Sequence, residues 1–300
     1  MPAGAATALS QSRETFHRLI GELRPKLHRY CARMTGSVID GEDVLQEALV
    51  KAIEAFPGSR QIDNPEGWLF RIVHNAALDF LRRRARQDAR RSEEDPDMIV
   101  DPATVVDGRE AAAASLRTFM RLPVSQRSSV IFMDVLGYSL EEIAGIMETS
   151  VSAVKADLHR GRSRLRTLAQ EPDDRPVPAL SEAERSLLTA YVDRFNARDF
   201  DAIRDMLAEE VRLELVNRTR MKGRREVANY VDNYSRVRDW RLVPGLVEGR
   251  AAVIVFDPQD SSGRPSYFIL LEWLDEEIAG IRDFRYARYV IDGAEFIVPD

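Results

Sequence analysis

Residues 137–168 read GYSLEEIAGIMETSVSAVKADLHRGRSRLRTL, and no other stretch says as much about what the chain builds. Ser139 followed by Glu142 has the form of a capping box, and Leu140, Ile143, Ala144 and Met147 fall on one face of the helix it opens. The run Glu148-Thr149-Ser150 breaks that periodicity, and Ser150 caps a second helix with the apolar stripe Val151, Val154, Leu158 and Leu165. Two short amphipathic helices joined by a tight turn are the sequence form of a helix-turn-helix.

The second helix is basic out of proportion to its surroundings. Lys155, Arg160, Arg162, Arg164 and Arg166 crowd into 154–168 with only Asp157 to oppose them, although the whole chain has a formal net charge of -6. Lys155, His159, Arg162 and Arg166 are spaced 4, 3 and 4 apart and share one side, with Arg160 and Arg164 on the other flank. Such a helix can lay Lys155, His159 and Arg160 against base edges in a major groove while Arg162 and Arg164 reach phosphates. The same residues could form a solvated cationic helix of a bundle, but a capped partner helix at the right spacing favours the groove.

Charge is unevenly spread along the rest of the chain. Counting Lys and Arg against Asp and Glu gives +4 for 1–91, -6 for 92–110, +3 for 111–170, -2 for 171–179 and -5 for 180–300. Two basic blocks therefore flank an acidic segment and precede an acidic module, a layout that suits a polyanionic partner for the blocks. The 300 residues, 44% hydrophobic, hold no run near the roughly 18 apolar residues of a membrane span, and MPAGAATALSQSRETF lacks a signal-peptide pattern, so a cytoplasmic protein without membrane contact is expected. Cys31 stands alone within the helical series Phe16, Leu19, Ile20, Leu23, Leu27, Tyr30, Cys31, Met34 and reads as a buried thiol. The four histidines are scattered with no i,i+4 pair, so neither a metal site nor a cofactor is expected.

Two breaks divide the chain. SEEDPDMIVDPATVVDGRE at 92–110 reads as an acidic linker, and EPDDRPVPAL at 171–180 as a Pro-rich one. The modules 1–91 and 111–170 are helical. In the first, Leu45, Ala48, Leu49, Ala52, Ile53 and Phe56 keep helical steps until PGSRQIDNPEG breaks them, and Asn64-Pro65 then opens a helix with the stripe Leu69, Ile72, Val73, Ala76 and Phe80. Arg71, Asn75, Asp79 and Arg82 share its other face, and Trp68 sits beside the stripe as a packing residue. The module 181–300 is α+β: Ser181 and Glu184 form a capping box, FDAIRDMLAEE and RREVANYVDNY read as further helices, and VRLELV, AAVIVF, SYFILLEW and EEIAGIRDF as strands.

These motifs resemble a known family. LPVSQRSSVIFMDVLGYSLEEIAGIMETSVSAVKADLHRGRSRLR resembles region 4 of bacterial extracytoplasmic-function sigma factors, which binds the minus-35 promoter element, and GEDVLQEALVKAIEAF with NPEGWLFRIVHNAALDFLRRR resembles region 2. The resemblance implies that Asp43, Gln46 and Glu47 dock on core RNA polymerase, that the loop 57–64 captures a flipped base of the melted minus-10 element, and that Arg71, Asn75, Arg82 and Arg83 lie beside that strand. It departs from the family at Asp157, where a basic residue is usual, and at Glu148, where the turn commonly has glycine. The third module resembles the SnoaL-like cystatin-cone fold, in which Glu214, Trp240, Asp283 and Tyr286 could line a pocket for a small-molecule ligand, although each also reads as an ordinary strand residue and their spacing shows no acid/base pair.

The expectation is a non-enzymatic sigma factor. Two all-α domains would bind core RNA polymerase and promoter DNA, double-stranded at minus-35 and melted at minus-10, with the α+β domain regulating them in cis. A helix-turn-helix regulator that carries a ligand-binding or enzymatic SnoaL-like domain and never binds polymerase is the alternative.

Overall fold

The computed structural model describes residues 3–56, 62–89, 114–171, 178–237 and 240–298. The acidic linker at 92–110 and most of the loop at 57–64 and of the linker at 171–180 lie outside the described residues. The chain forms two compact units, Met1–Asp173 and Asp174–Asp300.

The helical unit is built on α1 (Ala3–Thr35), α2 (Val38–Ala55) and α3 (Pro65–Ala89), followed by α4 (Leu116–Met120) and α5 (Val124–Val130). A π-helical turn, Ile131–Val135, continues α5, and α6 (Leu140–Ile146) and α7 (Val151–Ala169) complete the unit. The apolar stripes read from the sequence meet in one core: Leu27, Tyr30, Cys31 and Met34 of α1 pack with Leu45, Ala48 and Leu49 of α2 and with Leu69, Phe70 and Val73 of α3. Phe119, Ile131, Phe132, Ile143, Val154, Leu158 and Leu165 belong to that same core, so the two helical modules share one interior. Phe132 stacks on Tyr30 with centroids 4.5 Å apart, and Phe70 and Tyr138 meet it edge-on at 5.7 Å. Ile53 departs from its expected place in the α2 stripe, being 44% exposed, because the four-residue step from Leu49 carries it past the buried arc.

Polar side chains close this core where backbone ends inside it. The buried guanidinium of Arg127 donates to the carbonyls of Met34 at 2.6 Å, Met120 at 3.0 Å and Leu122 at 2.9 Å, capping α1 and the α4–α5 turn at once. Arg24 pairs with fully buried Glu42 at 2.5 Å, tying α1 to α2. Lys26 bonds Glu66 at 2.7 Å and lies 4.2 Å from the centre of the Tyr138 ring, whose hydroxyl donates to the same carboxylate.

The second unit begins with α8 (Glu182–Asn196) and α9 (Phe200–Asp205), and α10 (Arg224–Ser235) follows the first two strands. Its strands are β1 (Leu207–Leu215), β2 (Thr219–Lys222), β3 (Arg241–Val247), β4 (Arg250–Phe256), β5 (Pro265–Leu274), β6 (Glu277–Asp283) and β7 (Phe296–Ile297). They form a seven-stranded sheet in the order β2-β1-β6-β5-β4-β3-β7, antiparallel except where β1 runs parallel to β6. The segment FDAIRDMLAEE, read as a single helix, is divided: α9 stops at Asp205, and Leu207 already pairs with Ile278 while the Ile278 amide bonds the Met206 carbonyl at 2.7 Å. Sheet pairing outweighs a helical period carried by only a few apolar residues.

Two glycines report on packing in the helical unit with opposite signs. A Cβ on Gly41 would stand 2.6 Å from the Ala32 backbone nitrogen and 2.7 Å from its Cα, whereas exposed Gly145 has open space around it. Gly41→Ala should destabilise the unit by about 1–3 kcal/mol and Gly145→Ala should stabilise it by about 0.5–1 kcal/mol. Urea midpoints of the two variants check this; a shift of the same sign in both would contradict it.

Candidate functional site

The helix-turn-helix is in place. Ser139 and Glu142 form the full capping box of α6, and the Ser150 hydroxyl accepts from the Ala153 amide at 3.2 Å to start α7. Between them Glu148 adopts φ 53, the left-handed conformation for which glycine is usual. That position costs a non-glycine residue about 1–2 kcal/mol, and the Glu148 carboxylate also forms an exposed ion pair with Arg71 of α3 at 3.4 Å.

The basic residues of α7 sort into two groups. Lys155, His159 and Arg160 are exposed on its N-terminal half. Arg160 bonds Asp157 at 2.8 Å, so the acidic departure from the family pattern has a partner on its own helix. Arg162 and Arg164 turn back into the protein: Arg162 grips the Asp134 carboxylate with two nitrogens, one through Nε at 2.9 Å, and Arg164 Nε donates to the Arg121 carbonyl at 2.9 Å. Hydrogen bonding to Asp134 raises the Arg162 pKa. Met133, Leu140 and Leu158 floor a groove of about 380 Å³ beside Lys155 and His159.

On α3, Arg71, Asn75, Arg82 and Arg83 are exposed along one side. Arg82 pairs with Asp79 at 2.9 Å, and Arg83 with Glu47 of α2 at 2.9 Å. Hydrogen bonds from Arg83 and then from Lys51 pull the Glu47 carboxyl down to about 2. Asp43 is exposed, and Gln46 donates to buried Glu42 at 3.3 Å. The same side of α2 exposes Val50 (55%) and Ile53, which sequence reasoning did not place there. The available signal was Val50 falling out of phase with the apolar stripe. Trp68 is partly buried against Phe16, ring centres 5.9 Å apart, as its position beside the stripe implied.

The four residues expected around a pocket in the sheet unit do not converge. Asp283 is fully buried and accepts from the hydroxyls of Tyr230 at 2.9 Å and Tyr234 at 2.7 Å and from the Arg285 amide at 2.8 Å. Burial pushes its carboxyl up, against the opposing pull of these hydrogen bonds. Trp240 joins this centre through the Tyr234 ring, 6.0 Å away. Glu214 stands one residue out of phase in the pleat: Leu215 pairs with Asp283, and Glu214 with Arg282, so Glu214 lies on the opposite sheet face. There it binds Arg220 at 2.8 Å and Arg282 at 3.1 Å. Tyr286 is 43% exposed beneath the guanidinium of Arg218. Within the buried centre, the Tyr191 hydroxyl and Trp240 Nε1 have no hydrogen-bond partner among the described residues.

Comparison with known proteins places these units. The family description Sigma-70 region 2 matches residues 19–87, Sigma-70 region 4 matches 116–165, and the SnoaL-like domain matches 188–273. The ECF RNA polymerase sigma factor SigM of Mycobacterium tuberculosis is 34% identical over 163 residues, covering 54% of this chain and 81% of SigM. The chain belongs to the ECF RNA polymerase sigma factors. SigG of Mycobacterium tuberculosis is 31% identical over 217 residues, covering 64% of this sigma factor, which spans 59% of SigG's length. The crystal structure of SigJ from the same organism covers 87% of the chain and 93% of SigJ at 19% identity, with a TM-score of 0.33. The fold expectation of helical region 2 and region 4 domains followed by a SnoaL-like domain is met. Among the described residues, no helix is long and apolar enough to cross a membrane and no cluster of His, Cys, Asp and Glu could hold a metal ion.

Asp283 gives the SnoaL-like unit a definite pH response. Its folded pKa lies above the unfolded value, so the folded state binds the extra proton, and stability falls as pH rises from the ordinary carboxylate range through the raised value. Asp283→Asn, which keeps an oxygen for the two tyrosines, should flatten that fall. Asp283→Ala should cost about 3 kcal/mol near pH 4 by removing the acceptor of the two tyrosine hydroxyls, and less as pH rises because the alanine has no carboxyl to ionise. Denaturant melts of the full chain between about pH 4 and pH 8 check both, and a stability that climbs with pH in wild type but not in the Asn variant would contradict the assignment.

Proposed function

We propose that this sigma factor directs core RNA polymerase to promoters, reads the minus-35 element with α7 and holds the melted minus-10 strand along α3. The observation that carries the reading is the exposed trio Lys155, His159 and Arg160 on the N-terminal half of a capped helix-turn-helix. Such a helix presents charge-bearing donors where base edges lie, and Arg71, Asn75 and Arg82 line a second cationic face suited to a single strand. Asp43, Gln46 and Glu47 form the polymerase contact, with Val50 and Ile53 beside them supplying apolar area to an otherwise acidic surface. Glu47 must exchange Arg83 for a polymerase cation, so docking releases Arg83 toward the strand.

The SnoaL-like domain acts as a regulator in cis and performs no turnover. Both oxygens of Asp283 are engaged, Oδ2 by two tyrosine hydroxyls and Oδ1 by a backbone amide, which leaves no free base. The two unmatched donors, Tyr191 and Trp240, suit a small ligand that offers hydrogen-bond acceptors. The segment 180–300 carries -5 against +4 and +3 on the two basic blocks, and covalent linkage in one chain raises the effective concentration of one for the other, so weak charge attraction suffices for regulation.

In vitro transcription with purified core enzyme on genomic fragments tests the reading. Full-length protein should yield transcripts, and a Lys155/His159/Arg160 triple alanine variant should lose them while still binding core enzyme; unchanged transcript yield would refute the role of α7. A 1–175 fragment should differ from the full chain at least severalfold in promoter affinity or yield. Indistinguishable behaviour across a range of salt would leave the SnoaL-like domain without a regulatory part.

A further inference from the structure

Arg162 shares a side of α7 with Lys155 and His159, and its spacing alone would send it to a phosphate. Its guanidinium points elsewhere. Nε donates to Oδ2 of Asp134 at 2.9 Å, and Nη2 donates to Oδ1 of the same carboxylate. The Asp134 side chain is 3% exposed and that of Arg162 25%, so this two-pronged pair is largely removed from water. The Arg160–Asp157 pair one turn earlier is different, with the Arg160 side chain 48% exposed and able to leave.

What holds Asp134 is as specific as what it holds. It belongs to the π-helical turn Ile131–Val135, closed by the Leu136 amide on the Ile131 carbonyl at 3.0 Å. Two residues before it, fully buried Phe132 is seated among Tyr30, Phe70 and Tyr138. The turn therefore cannot swivel without breaking the aromatic cluster, and its carboxylate is a fixed point against which α7 is set. π-Helical turns are rare and occur frequently at functional sites.

We propose that Asp134 is a positioning residue for promoter recognition: it clamps Arg162 to the π-helical turn and so fixes the rotation of α7 that presents Lys155, His159 and Arg160 to the bases. Arg162 is then a strut and not a phosphate contact. The proposal rests on the reading of α7 as the recognition helix. Geometric tolerance explains why a clamp is needed, since a recognition constellation is held to within roughly 0.5 Å and 10–20°.

The two roles for Arg162 predict opposite signs. The full-length chain is titrated, at about 50–200 mM salt, with the duplex it selects from a random-sequence library and with unselected random duplex. Asp134→Asn should lower the preference for the selected duplex by about tenfold with the salt slope unchanged, because the clamp is lost and no phosphate contact changes. Asp134→Leu with Arg162→Met replaces the buried pair by apolar side chains, a change buried ion pairs commonly tolerate, and should regain selectivity relative to Asp134→Asn at the wild-type slope. If Asp134→Asn fails to fold, the slope of the double variant decides. Tighter binding of both duplexes by Asp134→Asn, or a slope reduced by about 0.9 in the double variant, would overturn the proposal. The Lys155/His159/Arg160 triple alanine is titrated alongside. If it binds the selected duplex as wild type does, the recognition helix itself is misassigned; if it loses that binding while Asp134→Asn tightens, only the positioning role fails.

Discussion

The stack of Phe132 on Tyr30 is the contact around which the helical unit is organised. Tyr30 comes from the first helix of region 2 and Phe132 from the π-helical turn of region 4, yet both rings are fully buried in one aromatic cluster with Phe70. His74 adds the polar member: its Nδ1 shares a hydrogen bond of 2.6 Å with the Tyr30 hydroxyl, and burial pulls the ring down to about 4, so it packs as a neutral imidazole. Remove the stack and Arg127 has no reason to reach Met34, nor Tyr138 to reach Glu66. The regions are thus joined by apolar area and satisfied carbonyls, with exposed ion pairs such as Arg71–Glu148 adding little.

Local rules made much of this legible. Capping boxes at Ser139 and Ser181, the N-cap at Ser150 and the apolar stripes of α1, α3 and α7 depend on residues within one or two turns of each other, and each appears where the sequence places it. What escaped depends on distance. Asp134 lies 28 residues before Arg162, and nothing in the run IFMDV announces a π-helical turn, so the arginine was read by its spacing alone. Glu214 was different, because Leu213 and Leu215 on either side already carried the alternation that sends it to the face away from Asp283.

Charge counting has a similar limit. Residues 1–91 carry +4 and 111–170 carry +3, but much of that charge is spent inside the fold: Arg24 on Glu42, Arg127 on three carbonyls, Arg162 on Asp134. The cations left exposed are fewer and better placed than the count suggests, and Lys155, His159 and Arg160 owe their prominence to the others having turned inward. The SnoaL-like unit repeats the theme with hydroxyls, since Asp283 lies under Tyr230 and Tyr234 where a sequence shows only scattered aromatics in a helix.

The shared core also sets a schedule for the chain as it is made. The aromatic face of α1 and α3 is complete once His74 has been added, yet Phe132 and Tyr138, which cover it, follow 58 and 64 residues later. At roughly 5–20 residues per second, synthesis of that interval takes about 3–13 s. For those seconds the nascent region 2 shows Tyr30 and Phe70 to whatever surrounds the ribosome. Region 4 is therefore the last piece added to the aromatic cluster, and region 2 carries that apolar face uncovered until it arrives.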